Sequence, residues 1–281
     1  MELHKAPVNK ILPLSVVDGS GARSVVFLQG CNLTCLYCHN PETQQLCNHC
    51  GHCISICPSR ALTLVEGAVI WEADRCEDCD ACINICPHFS TPKIRTLSAL
   101  EVFSEIQPNL PFLRGITVSG GECTLYSPFV SELFSLAKGH GLHCLIDSNG
   151  MTDFSTLPDL MAVTDGVMLD VKAWGTQVYK ALTGVGSNEI VRNNLQFLAN
   201  KGKLAELRIV ALPNYVDASA VLHGTAKLLG AQISHIPLKL IAFRPIGVRA
   251  SFADTKPPAP EYMQALQAEA YSLRYKNVRL V

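Results

Sequence analysis

The sequence contains no hydrophobic run long enough to cross a membrane and no excess of basic residues. A transmembrane helix needs about 20 consecutive apolar residues, and no segment of these 281 residues approaches that length. The formal net charge is −1, which argues against the basic surface that nucleic-acid-binding domains carry. Residues 1–9 lack the apolar core of a secretory signal. We therefore expect a cytoplasmic protein whose partners include neither nucleic acid nor a membrane.

Cysteine, in contrast, is abundant. The chain has 13 cysteines, and eleven of them fall between Cys31 and Cys86. Disulfides are rare in reducing compartments, and the short, regular spacings in this stretch are typical of metal ligands. We therefore favour metal binding over a disulfide framework. The remaining two, Cys123 and Cys144, are expected to be small core thiols.

Three cysteines follow a strand-like apolar run at residues 24–28. Cys31, Cys35 and Cys38 have the spacing Cys-x3-Cys-x2-Cys within the segment GCNLTCLYCHNP. Three thiolates can bind three irons of a 4Fe–4S cube and leave the fourth iron open to a substrate or cofactor. A cube with four cysteine ligands mainly carries electrons. This spacing therefore predicts a catalytic iron–sulfur site.

Residues 46–92 hold the other eight cysteines of this stretch. They form two copies of Cys-x2-Cys-x2-Cys-x3-Cys-Pro, the bacterial ferredoxin pattern in which the fourth cysteine binds the other cluster. The two ligand sets implied are Cys47, Cys50, Cys53 with Cys86, and Cys76, Cys79, Cys82 with Cys57. Residues 61–65 and 68–71 flank Glu-Gly and predict a hairpin.

The metal bound by this insert and the role of its clusters each have an alternative. Paired Cys-x2-Cys also suits tetrahedral zinc, although two full repeats ending in Cys-Pro favour a two-cluster ferredoxin module. The clusters could carry electrons toward the first cysteine set or could only hold the insert folded. We favour electron transfer, but the sequence does not give the distance between the clusters.

The rest of the chain, residues 93–281, alternates strand-like and helix-like segments. Strand-like runs occur at 115–118, 143–146, 166–171, 206–212, 238–243 and 278–281, and helix-periodic segments lie at 98–107, 128–139, 188–200, 218–229 and 260–275. Such alternation predicts repeated βα units and a parallel sheet. We expect an α/β fold: a partial (β/α) barrel of residues 1–45 and 93–281, interrupted by the insert at 46–92. Its site should lie at the carboxyl ends of the strands.

Polar motifs lie at or just beyond those predicted strand ends. Gly120 and Gly121 would let backbone approach a ligand closely. Asp170 and Lys172, two residues apart on a strand, should point to the same face, although a surface salt bridge would also explain them. Arg208 lies within an apolar strand, where it should face the interior and meet an anion. The motif at residues 147–150 could be an ordinary polar turn.

Together these motifs resemble the radical S-adenosylmethionine (SAM) enzymes, and among them the activating enzymes of glycyl radical enzymes. The resemblance rests on the CNLTCLYCHNP segment, on Gly-Gly-Glu after the second core strand, and on the lead-in DGSGAR at residues 18–23. The family usually has Asp-Gly-Pro-Gly-x-Arg in that lead-in, so Ser20 replaces a proline. A compact chain with this ferredoxin insert is most similar to the YjjW-type activases.

The resemblance implies a reaction and its partners. One-electron reduction of the site cluster cleaves SAM to methionine and a 5′-deoxyadenosyl radical, which takes a hydrogen atom from a backbone glycine of a partner glycyl radical enzyme. It also implies three 4Fe–4S clusters, anaerobic chemistry, and a flavodoxin or ferredoxin-like reductant. A radical SAM enzyme acting on a small molecule or peptide is the alternative. The third cysteine set and the Gly-Gly-Glu turn argue against a pure electron carrier.

The resemblance also assigns site residues. Tyr37 and His39 match positions that pack around adenine, Asp170 matches a ribose contact, and Lys172 matches the partner of the methionyl carboxylate. Arg244 stands where the family has a ribose-side histidine. The catalytic ligands are Cys31, Cys35 and Cys38, and the full set of expected cofactor contacts is Tyr37, Cys38, His39, Gly120, Gly121, Glu122, Asp147, Ser148, Asn149, Asp170, Val171, Lys172, Arg208 and Arg244.

We further predict a bound cation near Asp147 and Asp170. Together with Ser148, these residues would bring hard oxygen ligands beside the SAM carboxylate. A monovalent cation there would offset the repulsion between the carboxylates. Lys172 could supply that positive charge instead.

Overall fold

A computed structural model describes residues 4–281 as a nine-stranded sheet with flanking helices and a separate two-stranded sheet. The strands are β1 (Lys5–Ser15), β2 (Arg23–Leu28), β3 (Leu62–Val65), β4 (Ala68–Trp71), β5 (Arg95–Ser98), β6 (Gly115–Gly120), β7 (His143–Ser148), β8 (Gly166–Asp170), β9 (Leu204–Ala211), β10 (Leu238–Ala242) and β11 (Val278–Leu280). The helices are α1 (Ala81–Asn84), α2 (Ala99–Ile106), α3 (Ser127–Gly139), α4 (Pro158–Val163), α5 (Thr176–Thr183), α6 (Glu189–Asn200), α7 (Ala218–Leu229) and α8 (Pro260–Ser272).

The large sheet is mostly parallel, as predicted. Its order is β11-β10-β9-β8-β7-β6-β2-β1-β5. All pairings from β2 to β11 are parallel, whereas β1 pairs antiparallel with both β2 and β5. The seven strands expected from the sequence are therefore all present in one sheet, and the α/β fold with a parallel sheet is confirmed.

Contacts across the open side show that the sheet curls. The His39 ring nitrogen Nε2 lies 3.0 Å from the carbonyl oxygen of Arg244, which joins the loop after β2 to the loop after β10. Lys239 on β10 donates to the carbonyl of Val17 before β2, at 3.3 Å. Strands distant in the sheet order thus approach each other, which is the arrangement of a partial barrel.

The outer helices attach through one apolar face. In α3 the fully buried residues Phe129, Val130, Leu133, Phe134 and Ala137 recur with helical spacing. They share one apolar core with fully buried residues of β6 and β7. None of the helices within residues 4–281 combines the length and the apolar character that crossing a membrane requires.

The sequence prediction did not include β1, β5, α1, α4 or α5. Strand β1 contains Pro7 and Pro13, and proline interrupts the pattern by which a strand is recognised. Strand β5 has four residues, and α4 and α5 have six and eight. Segments this short contain too few periods to be distinguished from loops by hydrophobic pattern.

The insert contains the predicted hairpin. Strands β3 and β4 pair antiparallel, with Leu62 opposite Trp71 and Val65 opposite Ala68. The turn residues Glu66 and Gly67 have φ of 49° and 80°, as a two-residue turn with two left-handed positions requires. A small core of Cys53, Leu62, Val69 and Cys82 lies beneath the hairpin.

Candidate active site

The first cysteine set lies on a loop that is fastened on two sides. The backbone N–H groups of Gly30 and Cys31 donate to the carbonyls of Thr43 and Gln44 at 2.8 and 2.9 Å. On the other side, the N–H of Thr34 donates to the carbonyl of Thr183 at 2.9 Å. The end of α5 and the segment after the loop therefore hold it in place. Backbone bonds of this kind fix the cysteine positions without using their side chains.

The loop forms one wall of a cavity at the carboxyl ends of the strands. The cavity combines charged and polar side chains with apolar ones, as small-molecule and cofactor sites do. The expected site residues in its wall are Cys31, Cys35, Tyr37, Cys38, His39, Gly120, Gly121, Asp147, Ser148, Asn149, Asp170, Lys172 and Arg208. The structure therefore brings together most of the residues that the sequence motifs indicated.

The three cysteines fit an iron–sulfur cube. All three line the same cavity. Burial raises the pKa of Cys31 to about 12 and that of Cys35 to about 11, so the thiolates need a positive charge such as iron beside them. The backbone N–H of Leu33 and the side-chain amide of Asn149 lie 3.4 and 3.6 Å from the Cys31 sulfur. Such donors tune a bound cluster.

The glycines after β6 allow close packing against this loop. Gly120 has a φ of +116°, and a Cβ atom there would lie 2.2 Å from the carbonyl oxygen of Leu28. A Cβ atom on Gly121 would lie 2.2 Å from the carbonyl oxygen of Gly30. Only glycine satisfies both constraints, because contacts this short exclude any side chain. The end of β6 can thus lie directly against the start of the cysteine loop.

Glu122 lies in a different place from the one expected of a SAM contact. Its side chain is fully buried behind the cavity wall. Its Oε1 accepts hydrogen bonds from the N–H and hydroxyl of Thr124 and from the hydroxyl of Ser148, at 2.6–3.1 Å. Its Oε2 accepts from the N–H of Asn149 at 2.8 Å. Burial raises the pKa of Glu122 against the effect of these four bonds. Both oxygens are engaged, so Glu122 positions Asn149 rather than facing a ligand.

Two carboxylates at neighbouring strand ends each pair with a cation. Asp147 accepts from Arg208 at 2.9 Å and from the hydroxyl of Ser119 at 3.0 Å. Lys172 donates to Asp170 at 2.6 Å. Burial raises the pKa of Asp147, and Arg208 opposes that rise. Burial alone would lower the pKa of Lys172, but Asp170, Tyr37 and Cys35 together more than compensate and raise it. The interior position expected for Arg208 is therefore observed.

Two side chains already occupy the role predicted for a cation beside these carboxylates. Arg208 and Lys172 already supply positive charge to Asp147 and Asp170. Within residues 4–281, no three His, Cys, Asp or Glu side chains lie close enough together to hold a single metal ion. The cation stays a prediction.

The sequence interpretation missed a pair of residues beneath Arg208. Glu206 accepts from Arg208 Nε at 2.6 Å, and its same oxygen lies 3.3 Å from Lys239 Nζ. Glu206 precedes Arg208 by two residues on the same strand, so both side chains lie on one face of the sheet. This alternation could have identified Glu206 from the sequence. Gln44, buried in the cavity wall, was also missed, and no sequence pattern marks it.

Of four other expected contacts, two lie in the cavity wall and two lie outside it. Tyr37 is buried in the wall, and its hydroxyl has no hydrogen-bond partner among residues 4–281. The His39 ring packs against Phe243 with centroids 5.6 Å apart. Val171 is buried outside the wall, and the Arg244 side chain is exposed. Only the backbone carbonyl of Arg244 meets His39, so the structure does not bring the Arg244 or Val171 side chain to the cavity.

The cysteines of the insert surround two further cavities. One is lined by Cys47, Cys50, Cys53 and Cys86, together with Cys82. The other is lined by Cys57, Cys76, Cys79 and Cys82. Each cavity thus contains the four cysteines that the repeat spacing assigns to one cluster, including the fourth ligand from the other repeat. Cys82 borders both.

Comparison with known proteins identifies the class. The profile of the radical SAM superfamily matches residues 25–222, which include the first cysteine set and strands β6 to β9. The chain therefore belongs to the radical SAM superfamily.

Curated relatives give a narrower family. The benzylsuccinate synthase activating enzyme of Thauera aromatica is 30% identical over 255 residues, covering 82% of this chain and 77% of the relative. The pyruvate formate-lyase-activating enzyme of Streptococcus mutans is 29% identical over 287 residues, covering 97% of this chain and 93% of the relative. The chain belongs to this family of activating enzymes for glycyl radical enzymes.

Solved structures share the fold at low identity. Streptococcus suis SuiB bound to the precursor peptide SuiA aligns with a TM-score of 0.57 and 11% identity, over 92% of this chain and 48% of SuiB. A domain of a pyruvate-formate lyase-activating enzyme from Bacteroides vulgatus aligns with a TM-score of 0.50 and 18% identity, over 59% of this chain and 98% of that domain. At these identities the likeness concerns the fold alone.

Proposed function

We propose that this chain cleaves SAM reductively and takes a hydrogen atom from a backbone glycine of a partner glycyl radical enzyme. One observation carries the proposal: Cys31, Cys35 and Cys38 share a single cavity with Asp170 and Lys172. Three thiols can hold a cube with an open iron, and the charged side chains can hold the rest of SAM. The names of the curated relatives support the activase over a small-molecule or peptide enzyme.

When bound, the cube supplies the electron that divides SAM into methionine and the 5′-deoxyadenosyl radical. The protein must hold SAM beside the open iron. We assign Lys172 to the methionyl carboxylate, because Arg208, the other cation in the cavity wall, is already paired with both Asp147 and Glu206. The residues must also exclude water around a radical that attacks most C–H bonds. Leu33, Val210 and Ile241 present apolar side chains to the same cavity.

The adenosine end is assigned to Tyr37, His39 and Asp170. Burial lowers the pKa of His39, so its ring is neutral near pH 7 and can lie against a base without a desolvation penalty for charge. The unpartnered hydroxyl of Tyr37 is buried in the cavity wall, and such a group gains from any hydrogen bond that a ligand offers. Asp170 is free to accept from a ribose hydroxyl through the oxygen that Lys172 does not use.

We further propose that residues 46–92 are a ferredoxin-like domain with two more 4Fe–4S clusters, inserted into the barrel of residues 1–45 and 93–281. The two cysteine-lined cavities support this division. Three cubes require about twelve irons per chain. Anaerobic reconstitution followed by iron and zinc analysis tests it. Saturation near four irons with zinc in the insert would refute the ferredoxin domain and leave the catalytic site intact.

The site assignment is tested by removing ligands from each set. Changing Cys31, Cys35 and Cys38 to alanine should abolish reductive SAM cleavage. Changing Cys50 and Cys79 should leave the site cube in place, and we expect slow cleavage with a protein reductant but faster cleavage with a strong chemical one. We propose a cytoplasmic flavodoxin or ferredoxin-like protein as that reductant. Cleavage unchanged with both reductants would make the insert purely structural.

The activase function is tested by isotope transfer. A partner enzyme carrying deuterated glycine, or a peptide copying its glycine loop, should place deuterium in 5′-deoxyadenosine. The peptide should be the poorer substrate, because it must lose its own conformational entropy on binding. SAM cleavage without deuterium transfer from any partner or loop peptide would favour the small-molecule alternative.

A further inference from the structure

The chain between the first cysteine set and the insert contacts both of them. The Gln44 carbonyl accepts from the Cys31 N–H at 2.9 Å, and the Gln44 side-chain amide donates to the Cys35 carbonyl at 3.4 Å. The next residue, Gln45, donates its N–H to the carbonyl of Phe89 at 3.3 Å. Phe89 follows the last cysteine of the insert. One dipeptide therefore joins the two cysteine-rich regions through direct hydrogen bonds.

Arg249 contacts both sides of this junction, the Phe89 ring and the Gln44 side chain. It lies in the loop between β10 and α8, and its guanidinium carbon sits 4.1 Å from the centroid of the Phe89 ring. It also donates to the side-chain oxygen of Gln44. Its Nε is buried without a hydrogen-bond partner among residues 4–281. The positive charge thus rests on a ring and a neutral amide, although a partly buried guanidinium is better stabilised by negative charge.

Chain length places one insert cavity next to this junction. Cys47 follows Gln44 by three residues, and Cys86 precedes Phe89 by three. Three residues of extended chain span at most about 11 Å. Both cysteines line the first insert cavity. The second cavity meets the first at Cys82, which lines both. The order is therefore second cavity, first cavity, Arg249 junction, barrel site.

We propose that Arg249 couples the cluster of the first insert cavity to the barrel cluster, and that electrons pass through the sites in this order. The inference rests on the clusters proposed above. A one-electron protein donor of the flavodoxin or ferredoxin class is oxidised and the insert takes its electron. The first insert cluster then loses one electron and the barrel cluster gains one. Arg249 favours this step because its charge reaches the barrel site through Gln44, whose amide bonds the Cys35 carbonyl, and so stabilises added negative charge on the barrel cluster more than on the insert cluster.

The test compares three variants that have been reconstituted to the same iron content. Arg249→Gln removes the charge, and Arg249→Lys keeps the charge but loses the planar stacking group. Lys256→Gln is the matched control, since it removes one positive charge from an exposed position in the same loop. Each is mixed anaerobically with the reduced protein donor and SAM. Freeze-quenched electron paramagnetic resonance then follows the reduced signals of the insert and barrel clusters.

We expect Arg249→Gln to slow electron arrival at the barrel cluster at least about tenfold, while the insert clusters stay reduced for longer. The rate of electron arrival in Arg249→Lys should lie between those of Arg249→Gln and the wild type. The rate in Lys256→Gln should match the wild type. A potentiometric titration should show a lower midpoint potential for the barrel cluster in Arg249→Gln, with a smaller change for the insert clusters. SAM cleavage with a small chemical reductant should be unchanged, because that reductant does not need the insert.

Equal electron arrival in Arg249→Gln and the wild type would overturn the inference. Equal slowing with the protein donor and the chemical reductant would also overturn it, because it would show that the loop only supports the barrel site. Phe89→Leu gives an independent check that keeps the charge and removes the ring beneath it, and it should slow only the donor-dependent reaction. A wild type that binds about four irons would instead refute the insert clusters themselves, a failure that iron analysis identifies before any rate is measured.

Discussion

Glu122→Gln is the substitution that best separates a positioning role from a cofactor contact. The change keeps the size of the side chain and replaces one acceptor oxygen by an NH2 group. With the amide oxygen at the Oε1 position, three of the four hydrogen bonds persist. The NH2 group then faces the N–H of Asn149, from which the carboxylate oxygen lies 2.8 Å away. Two donors oppose each other there, next to the cysteine loop.

The expected destabilisation follows from that one contact. Losing a hydrogen bond to a charged group costs about 1.5–3 kcal/mol, and an unsatisfied buried N–H adds about 1–3 kcal/mol. Part of this loss is offset, because the substitution also removes a charge that is costly to bury. The raised pKa of Glu122 reflects that cost. We expect a net loss of about 2–3 kcal/mol, which would lower the melting temperature by roughly 4–12 °C in a chain of this size.

The pH dependence of this loss has a definite sign. A raised folded-state pKa means that the folded protein binds the Glu122 proton more tightly than the unfolded chain does. The stability that this group contributes is therefore complete below its ordinary value of 4.5 and falls as pH rises toward the folded-state pKa. The stability gap between wild type and Glu122→Gln should narrow as pH rises above 4.5.

Anaerobic thermal unfolding and SAM binding measure the two roles on the same preparations. We expect the melting temperature to fall while the dissociation constant for SAM changes less than about threefold. The opposite result, an unchanged melting temperature with SAM binding weakened about tenfold or more, would refute the reasoning. Glu122 would then be a direct cofactor contact, as the sequence motif suggested.

Three further predictions test neighbouring parts of the site. Lys172→Ala should weaken SAM binding roughly ten- to a hundredfold, the equivalent of a charge-assisted hydrogen bond, with iron content unchanged; an affinity within threefold of wild type would contradict this. Gly120→Ala should prevent soluble expression, because its Cβ would lie 2.2 Å from a carbonyl oxygen, whereas Gly139→Ala, with no atom within 4 Å, should leave the melting temperature unchanged. SAM affinity should differ between sodium, potassium and a bulky organic cation, and equal affinities would count against a cation at Asp147 and Asp170.

The central parallel strands could be predicted because they are buried on both faces. Strand β6 has five consecutive buried positions, Gly115 to Ser119, and β7 and β8 show similar runs. A continuous apolar run bounded by glycine or charge identifies such a strand without knowledge of its neighbours. Strand β1 and the edge strand β5 are recognisable only from their pairing with β2 and with each other. Pairing is a long-range property, and sequence periodicity does not report it.

The site residues could be predicted where strand alternation holds. Asp147, Asp170 and Arg208 lie on strands β7, β8 and β9, and parallel strands bring their carboxyl ends to one edge. Alternation stops at Gly120, where φ is +116° and the chain leaves the strand geometry. Beyond that point the side-chain direction of Glu122 depends on a turn conformation, and the sequence motif could not show that it points away from the cavity.

The buried position of Glu122 behind the cavity wall explains its importance. Its backbone N–H donates to the carbonyl of Gly30 at 2.8 Å, and its carboxylate holds the hydroxyl of Ser148 and the N–H of Asn149. Asn149 in turn places its side-chain amide 2.8 Å from Asn32 and 3.6 Å from the Cys31 sulfur. The ends of β2, β6 and β7 are thereby tied together around one cluster cysteine. Reacting groups must be held to within about 0.5 Å of the productive geometry, so residues that fix this geometry matter as much as those that touch SAM.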